Sequence, residues 1–399
     1  MKKTILVSSF DLAIGGVERS LIGLLDSIDY NKYSVDLLLF KQEGEFMPFI
    51  PKGPTLLPEI PAYTTFRKSI TNVLKDRQYP IGLGRILAKY TSTVQGKLLK
   101  VPEPGYLTIQ YGWDFTSPLL PKMKKEYDAA IGFLWPHHFT GSKVKAKKKI
   151  GWIHTDYSNI HVNKKADERV WNKLDHIVAV SDECSKTFIH EFPFLKEKTS
   201  VIENILSPAF VREQAGLFVP SEIKRSEGKT IFVSVGRLTH AKGFDEAARA
   251  CRLLVDEGLD IEWHIVGYGP LENELKQLIT DLKLEDRFFL LGKKVNPYPY
   301  IKACDIYVQP SRYEGKAVTV REAQILGKPI VITDFPTAKS QVIDSFDGKI
   351  TSNGAVGIAM GIKQMIHDKK LRDLLIANLQ SMNYENTSEL NKLYELIES

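Results

Sequence analysis

Short apolar runs recur along the chain, each followed by a polar or glycine-containing stretch and then by a segment with apolar positions three and four apart. In the first half the runs are residues 4–9, 34–40, 128–134, 149–154 and 175–180; in the second they are 230–235, 261–266, 287–292, 303–309 and 329–333. They are continuous rather than alternating, the mark of strands buried on both faces in a parallel sheet. The intervening periodicity predicts helices over 17–28, 182–190, 271–282, 317–326, 356–368 and 371–381. Residues 208–228, with Pro220 and mixed charges, read as a linker, so the pattern divides into two Rossmann-like α/β domains, 1–207 and 208–381. The tail 382–399 ends in an amphipathic helix, 388–398. Between about 46 and 125 the alternation breaks down, leaving helical stretches at 65–76 and 83–99, and two short strand-like pieces are expected at 340–343 and 348–351.

The segments that follow the strands hold most of the candidate chemistry. Arg237 and Lys242 lie in a loop bounded by Gly236 and Gly243, two cations placed to grip a diphosphate. Residues 310–317 lead from a strand into a helix whose first N–H groups, around Ala317, Val318 and Thr319, have no intrahelical acceptor and attract a phosphate. Glu314 precedes that helix and Glu322 lies within it, with seven residues between; carboxylates accept strongly from vicinal hydroxyls. Either acid alone reads equally as a surface charge. A cradle for phosphate beside two acceptors for hydroxyls suits a sugar nucleotide. The loop Gly267-Tyr268-Gly269-Pro270 lacks the third glycine of a nicotinamide fingerprint. In the first half, Gly15-Gly16 follows the first strand, and His154 ends another, where open α/β sheets carry ligands; a purely structural histidine is the other reading. His137, His138 and His161 have no acidic or sulfur partners at metal-ligand spacing.

Pro310-Ser311, Glu314-Gly315, Glu322-Ala323 and Gly327-Lys328-Pro329 together resemble the E-x7-E signature of the family-four retaining glycosyltransferases. The likeness is strongest over 230–334, weaker at Gly15-Gly16 and Ile153-His154, and fades between about 46 and 129. The resemblance implies the GT-B fold: two Rossmann-like domains with parallel sheets facing across a cleft, the first taking the acceptor and the second the nucleotide sugar, with the C-terminal helix of 382–399 returning to the N-terminal domain. It implies that Arg237 and Lys242 bind the leaving diphosphate, that Glu314 holds the transferred sugar and Glu322 the ribose hydroxyls, and that His154 meets the donor sugar. Gly16, Gly236, Gly267, Gly315, Lys316, Ala317, Val318 and Thr319 would line the donor, with Lys293 beside the nucleobase. Lys316 stands where many relatives have a second glycine, like the subset associated with capsule, exopolysaccharide and wall-polymer assembly; it points at an anionic group or faces solvent. The implied reaction moves a sugar from a nucleoside-diphosphate donor, UDP by default, to a glycan or lipid-linked acceptor. The rival readings are a catalytically silent GT-B partner of another transferase and a GT-B sugar-nucleotide epimerase or hydrolase. With no Asp-x-Asp pair, no metal cofactor is expected.

Charge adds one feature. The net +6 conceals an excess of eleven cations between 61 and 149, sixteen Lys/Arg against five Asp/Glu, which leaves the remainder at −5. This is a solvated basic face or a surface attracted to anionic membrane, the latter favoured by Phe66, Ile70, Val73 and Leu74 interleaved among the charges. No nucleic-acid-binding motif accompanies it. Three widely spaced cysteines fit a reducing compartment, and the first apolar run, stopping at Ser8-Ser9, is too short for a signal peptide, so a cytoplasmic location is expected.

Overall fold

The computed structural model describes residues 2–13, 15–101, 104–384, 386 and 388–399, with the backbone alone at 159. Residue 14 of the expected glycine loop lies outside this set. The chain divides into two compact units, Met1–Ile205 with Asn386–Ser399, and Leu206–Glu385.

The first unit is built on β1 (Lys3–Ser9), β2 (Tyr33–Leu39), β3 (Thr55–Leu56), β4 (Glu126–Gly132), β5 (Lys145–Ile153), β6 (His176–Ala179) and β7 (Thr199–Val201). They form one parallel sheet in the order β3-β2-β1-β4-β5-β6-β7. The continuous apolar character of β1 follows from its central place: Ile5 and Val7 pack into a cluster with Leu21, Leu24 and Leu25 of the helix Gly16–Ser27. Leu6 faces the other layer, with Tyr63, Val73 and Trp113. A helix over Gly105–Thr116, which the irregular pattern hid, supplies Trp113. The lysine run ending at Lys149 enters β5 and pairs with β4 acids through Lys145–Glu126 at 3.1 Å and Lys147–Asp128 at 2.7 Å. The terminal helix Ser388–Glu398 completes this unit's core with Leu390, Leu393 and Ile397, and Tyr394 stacks on Tyr33 at 4.7 Å.

The second unit contains β8 (Thr230–Val235), β9 (Ile261–Val266), β10 (Phe288–Leu290), β11 (Ile306–Gln309), β12 (Ile330–Thr333) and β13 (Lys349–Thr351). Its sheet is also parallel, in the order β10-β9-β8-β11-β12-β13. Along β8, Phe232 joins the layer of Ala247, Cys251 and Ile362, while Ile231 and Val233 join Tyr300, Ile301 and Val320. Sequence order reverses beside β8, with β9 on one side and β11 on the other. In sheets of this kind, ligands bind at that switch point, outside the carboxyl ends of the strands.

Three expectations fail. Residues 208–215 are no linker: Pro208–Ala215 is a helix capped by the Ser207 side chain, with Val211 and Ala215 buried against Tyr298, Ile325 and Leu379. The strand-like piece expected at 340–343 is absent: Ala338–Ser340 is a 3-10 turn, and 341–343 continue it as a turn and irregular chain. Phe66 and Val73 do not interleave with surface charge, because Phe66 stacks on Trp113 at 4.0 Å and Val73 is fully buried.

Candidate functional site

In the second unit, β8 and β11 are neighbours, so the loops that follow them meet at the switch point. Lys242 comes from the first loop and Glu314 from the second, and Lys242 Nζ donates to Glu314 Oε1 at 2.5 Å. The same carboxylate oxygen accepts from Ser311 Oγ at 2.6 Å and Gln309 Nε2 at 3.1 Å. Gln309 accepts in turn from Thr319 Oγ1 at 3.0 Å, tying Glu314 to the first turn of the helix Val318–Ile325.

Two glycines permit close passages here, Gly243 between the Lys242 and Glu314 loops and Gly267 between the ends of β8 and β9. Gly243 has φ +64°, and a Cβ there would lie 2.1 Å from the Pro310 carbonyl oxygen. Gly267, at the end of β9, leaves a Cβ only 1.8 Å from the Gly236 carbonyl oxygen. A clasp then fastens the two loops. The Arg312 guanidinium donates to both oxygens of Asp245, each at 2.7 Å, and to Glu246 at 3.0 Å, while the Arg312 N–H bonds the Ala241 carbonyl at 2.7 Å. The planar fork of arginine suits such bidentate pairing.

Arg237 stands exposed in the Lys242 loop, with no ion-pair partner among the described residues. Lys293 is exposed after β10, two strands away from β8, its Nζ 5.1 Å from the centre of the Tyr268 ring. Gly315 and Lys316 are half-buried, while Ala317, Val318 and Thr319 are buried. The Ala317 N–H, expected to face a phosphate, is instead occupied by Gln341 Oε1 at 2.9 Å, and the Val318 side chain packs with Leu206, Tyr298 and Ile325. Glu322 is completely covered on the inner face of its helix. The structure thus joins Lys242 and Glu314 directly, places Arg237 in the same loop as Lys242, and sets Glu322 beneath the surface.

In the first unit, His154 follows β5 and its ring lies 4.7 Å from Phe133, the residue after β4. Burial pushes this imidazole down to about 3, opposed by a hydrogen bond to the Phe133 backbone, so it is neutral. Its Nε2 is covered and has no partner among the described residues. His137 is held neutral by burial in the same way, with Nε2 bonded to the Trp152 carbonyl at 3.1 Å, and is structural. Gly16 is exposed at the first position of the helix Gly16–Ser27.

Sequence reasoning missed three residues near Gly16. Asp11, buried just beyond β1, pairs with Arg67 Nε at 2.5 Å. Glu18 folds back over Gly15, and burial, reinforced by the Asp11 charge, pushes its carboxyl up to about 7. A first-turn acid reads only as a helix-dipole partner; the 56-residue separation of Asp11 and Arg67 gave no local signal. Gln309, the other omission, looked like the polar end of a buried strand, and that anomaly was the available clue.

Two parallel-sheet α/β units of this construction define the GT-B class of fold. Residues 219–382 match the profile of the family described as Glycosyl transferases group 1. Among solved structures, the chain is similar to Staphylococcus aureus TarM in complex with Fondaparinux, alpha-GlcNAc-glycerol and UDP (TM-score 0.68, 16% identity, 100% of both chains). It is likewise similar to Anabaena HepE in complex with UDP-glucose (TM-score 0.66, 18% identity, 99% of this chain and 98% of that one). A curated relative, the Campylobacter jejuni N-acetylgalactosamine-N,N'-diacetylbacillosaminyl-diphospho-undecaprenol 4-alpha-N-acetylgalactosaminyltransferase, is 27% identical over 216 residues, 54% of this chain and 57% of that protein. The chain spans about half the length of the curated relatives it matches.

Proposed function

We propose that the protein is a retaining glycosyltransferase that moves a sugar from a UDP-type donor to a glycan or lipid-linked acceptor in bacterial surface-polymer synthesis. The observation that carries this reading is the meeting of Lys242 and Glu314 at the switch point of the second sheet, with exposed Arg237 in the same loop. As the glycosidic bond breaks, negative charge grows on the departing diphosphate, and the two cations of this loop stabilise it more than they stabilise the intact donor. Glu314, held by Ser311 and Gln309, keeps acceptor capacity for the hydroxyls of the transferred sugar. Arg237 and Lys242 supply the positive charge, so no metal is needed. Glu322, being covered, reaches the ribose only after its neighbours part.

Support for the donor comes from the similar TarM and HepE structures, which hold UDP or UDP-glucose, and support for the acceptor from the diphospho-undecaprenol in the Campylobacter relative's name. The test is a thermal-shift panel of UDP, GDP, ADP and CMP sugars, followed by transfer assays with lipid-linked acceptors and NMR of the product anomer. Stabilisation by a UDP sugar, anomeric retention and a rate unchanged by EDTA are expected. Efficient donor turnover without acceptor overturns the proposal in favour of a hydrolase or epimerase.

A further inference from the structure

The helix Tyr79–Leu98 has two apolar faces and only one of them is packed. Ala88, Ser92 and Gly96, four residues apart, form the inner face. Ala88 joins Leu107 and Tyr111 of the helix Gly105–Thr116, and Ser92 Oγ lies 2.7 Å from Thr108 Oγ1. Small side chains there let the two helices approach. On the opposite face Leu83, Ile86, Leu87, Tyr90, Val94 and Leu98 fall three or four apart and so form one stripe. They are exposed, Leu83 by 63%, Tyr90 by 68% and Leu98 by 77%. At about 1.5 Å per residue the stripe extends for roughly 23 Å, a contiguous exposed apolar patch of the kind that marks an interaction surface.

The charges around it have one sign. From 77 to 101 the sequence has five Lys/Arg and no Asp or Glu. Arg85 is spent internally on the carbonyls of Thr65 and Lys68, whereas Arg77, Lys89, Lys97 and Lys100 are exposed. Among the described residues no helix is long and apolar enough to cross a membrane. An amphipathic helix with large apolar side chains on its outer face and cations beside them lies in the plane of an anionic bilayer surface.

We propose that the outer face of Tyr79–Leu98 is a docking surface for an anionic lipid bilayer, with the six apolar side chains entering the interfacial region and the four exposed cations meeting lipid phosphates. This deepens the proposed function, in which a lipid-linked acceptor is presented at such a surface, and moves the membrane contact from residues 66–74, where Phe66 and Val73 are packed, to this helix. A second copy of the chain would need acids to face these cations, whereas a bilayer containing phosphatidylglycerol supplies anionic phosphates directly.

The experiment is co-sedimentation of the full chain with vesicles of phosphatidylcholine alone or mixed with phosphatidylglycerol, alongside sedimentation velocity without lipid. Binding to the mixed vesicles, weakened by salt, is expected. The triple variants L83S/L87S/Y90S and K89E/K97E/K100E should each lower it by about tenfold or more. Because these side chains are exposed, melting temperature and the thermal shift by UDP sugar should stay as in the unaltered protein. That shift also separates the two readings: vesicle binding without nucleotide response sinks the enzyme assignment alone, and nucleotide response without vesicle binding sinks this one. Binding that survives both triple variants, or a stripe-dependent dimer that ignores vesicles, also overturns it.

Discussion

At the residue scale, Lys242 and Arg237 occupy one loop but differ in what they do for the fold. Arg237 is exposed and unpaired among the described residues, so Arg237→Ala should leave stability within about 0.5 kcal/mol. The same change should weaken UDP-sugar binding, read as a smaller thermal shift. Lys242→Ala removes the cation nearest Glu314 and should lower kcat by a factor on the order of one hundred to one thousand. Equal losses of stability in both variants would contradict this division. Glu18 makes a different prediction. Its folded pKa, raised from 4.5 to about 7 by burial, means the folded protein holds its proton more tightly than the unfolded chain. The contribution to stability is therefore fully present below about 4.5 and lost as pH rises through about 7. Glu18→Gln should raise the melting temperature at pH 8 relative to the unaltered protein, with the gap closing toward pH 4. Lys242 and Glu314 were legible because they stand next to glycines at strand ends. Glu18 was not, since its pKa is set by burial in the folded chain and by charges, Asp11 and the distant Arg67, that only folding brings beside it.

At the element scale, the candidate site is two loops pinned together before any ligand arrives. The bidentate Arg312–Asp245 pair and the tight passage at Gly243 hold the Lys242 and Glu314 loops in register. Gly243→Ala forces a left-handed residue to carry a Cβ and drives it into the Pro310 carbonyl. The expected loss is about 3 kcal/mol in urea unfolding, accompanied by a fall in kcat/KM. Full retention of both would show that the loops tolerate separation. The strands 230–235 and 261–266 could be read residue for residue, because a short continuous apolar run ending at glycine fits little but a strand buried on both faces. The helices Gly105–Thr116 and Pro208–Ala215 could not. In the first, glycine, tryptophan and tyrosine dilute the periodicity. In the second, prolines and charges imitate a linker, and only packing against Tyr298 and Leu379 reveals a helix.

At the scale of the whole molecule, the parallel alternation was enough to set the class of fold, because βαβ crossovers leave few ways to bury strands on both faces. What it could not convey was how much of the first unit's core comes from the last residues. Leu390, Leu393 and Ile397 are buried beside Leu21, Leu24 and Leu25. At about 1.5–3 kcal/mol for each fully buried side chain, removing residues 386–399 should cost roughly 5 kcal/mol or more. A truncated chain should show an early-melting transition for the first unit in calorimetry, while a UDP sugar still shifts the transition of the second. An unchanged profile would mean that the final helix is only an ornament on the surface.

The interleaving of the units along the chain bears on how the protein is made. A polypeptide leaves the ribosome from its amino end, so the second unit, contiguous over Leu206–Glu385, can complete its core while the first still waits for its last helix. Until Leu390, Leu393 and Ile397 emerge, one layer of the first sheet lacks its final cover. Translation that stalls shortly before residue 386 therefore delivers a product with a finished second half and an adhesive, unfinished first one, a state suited to capture by chaperones.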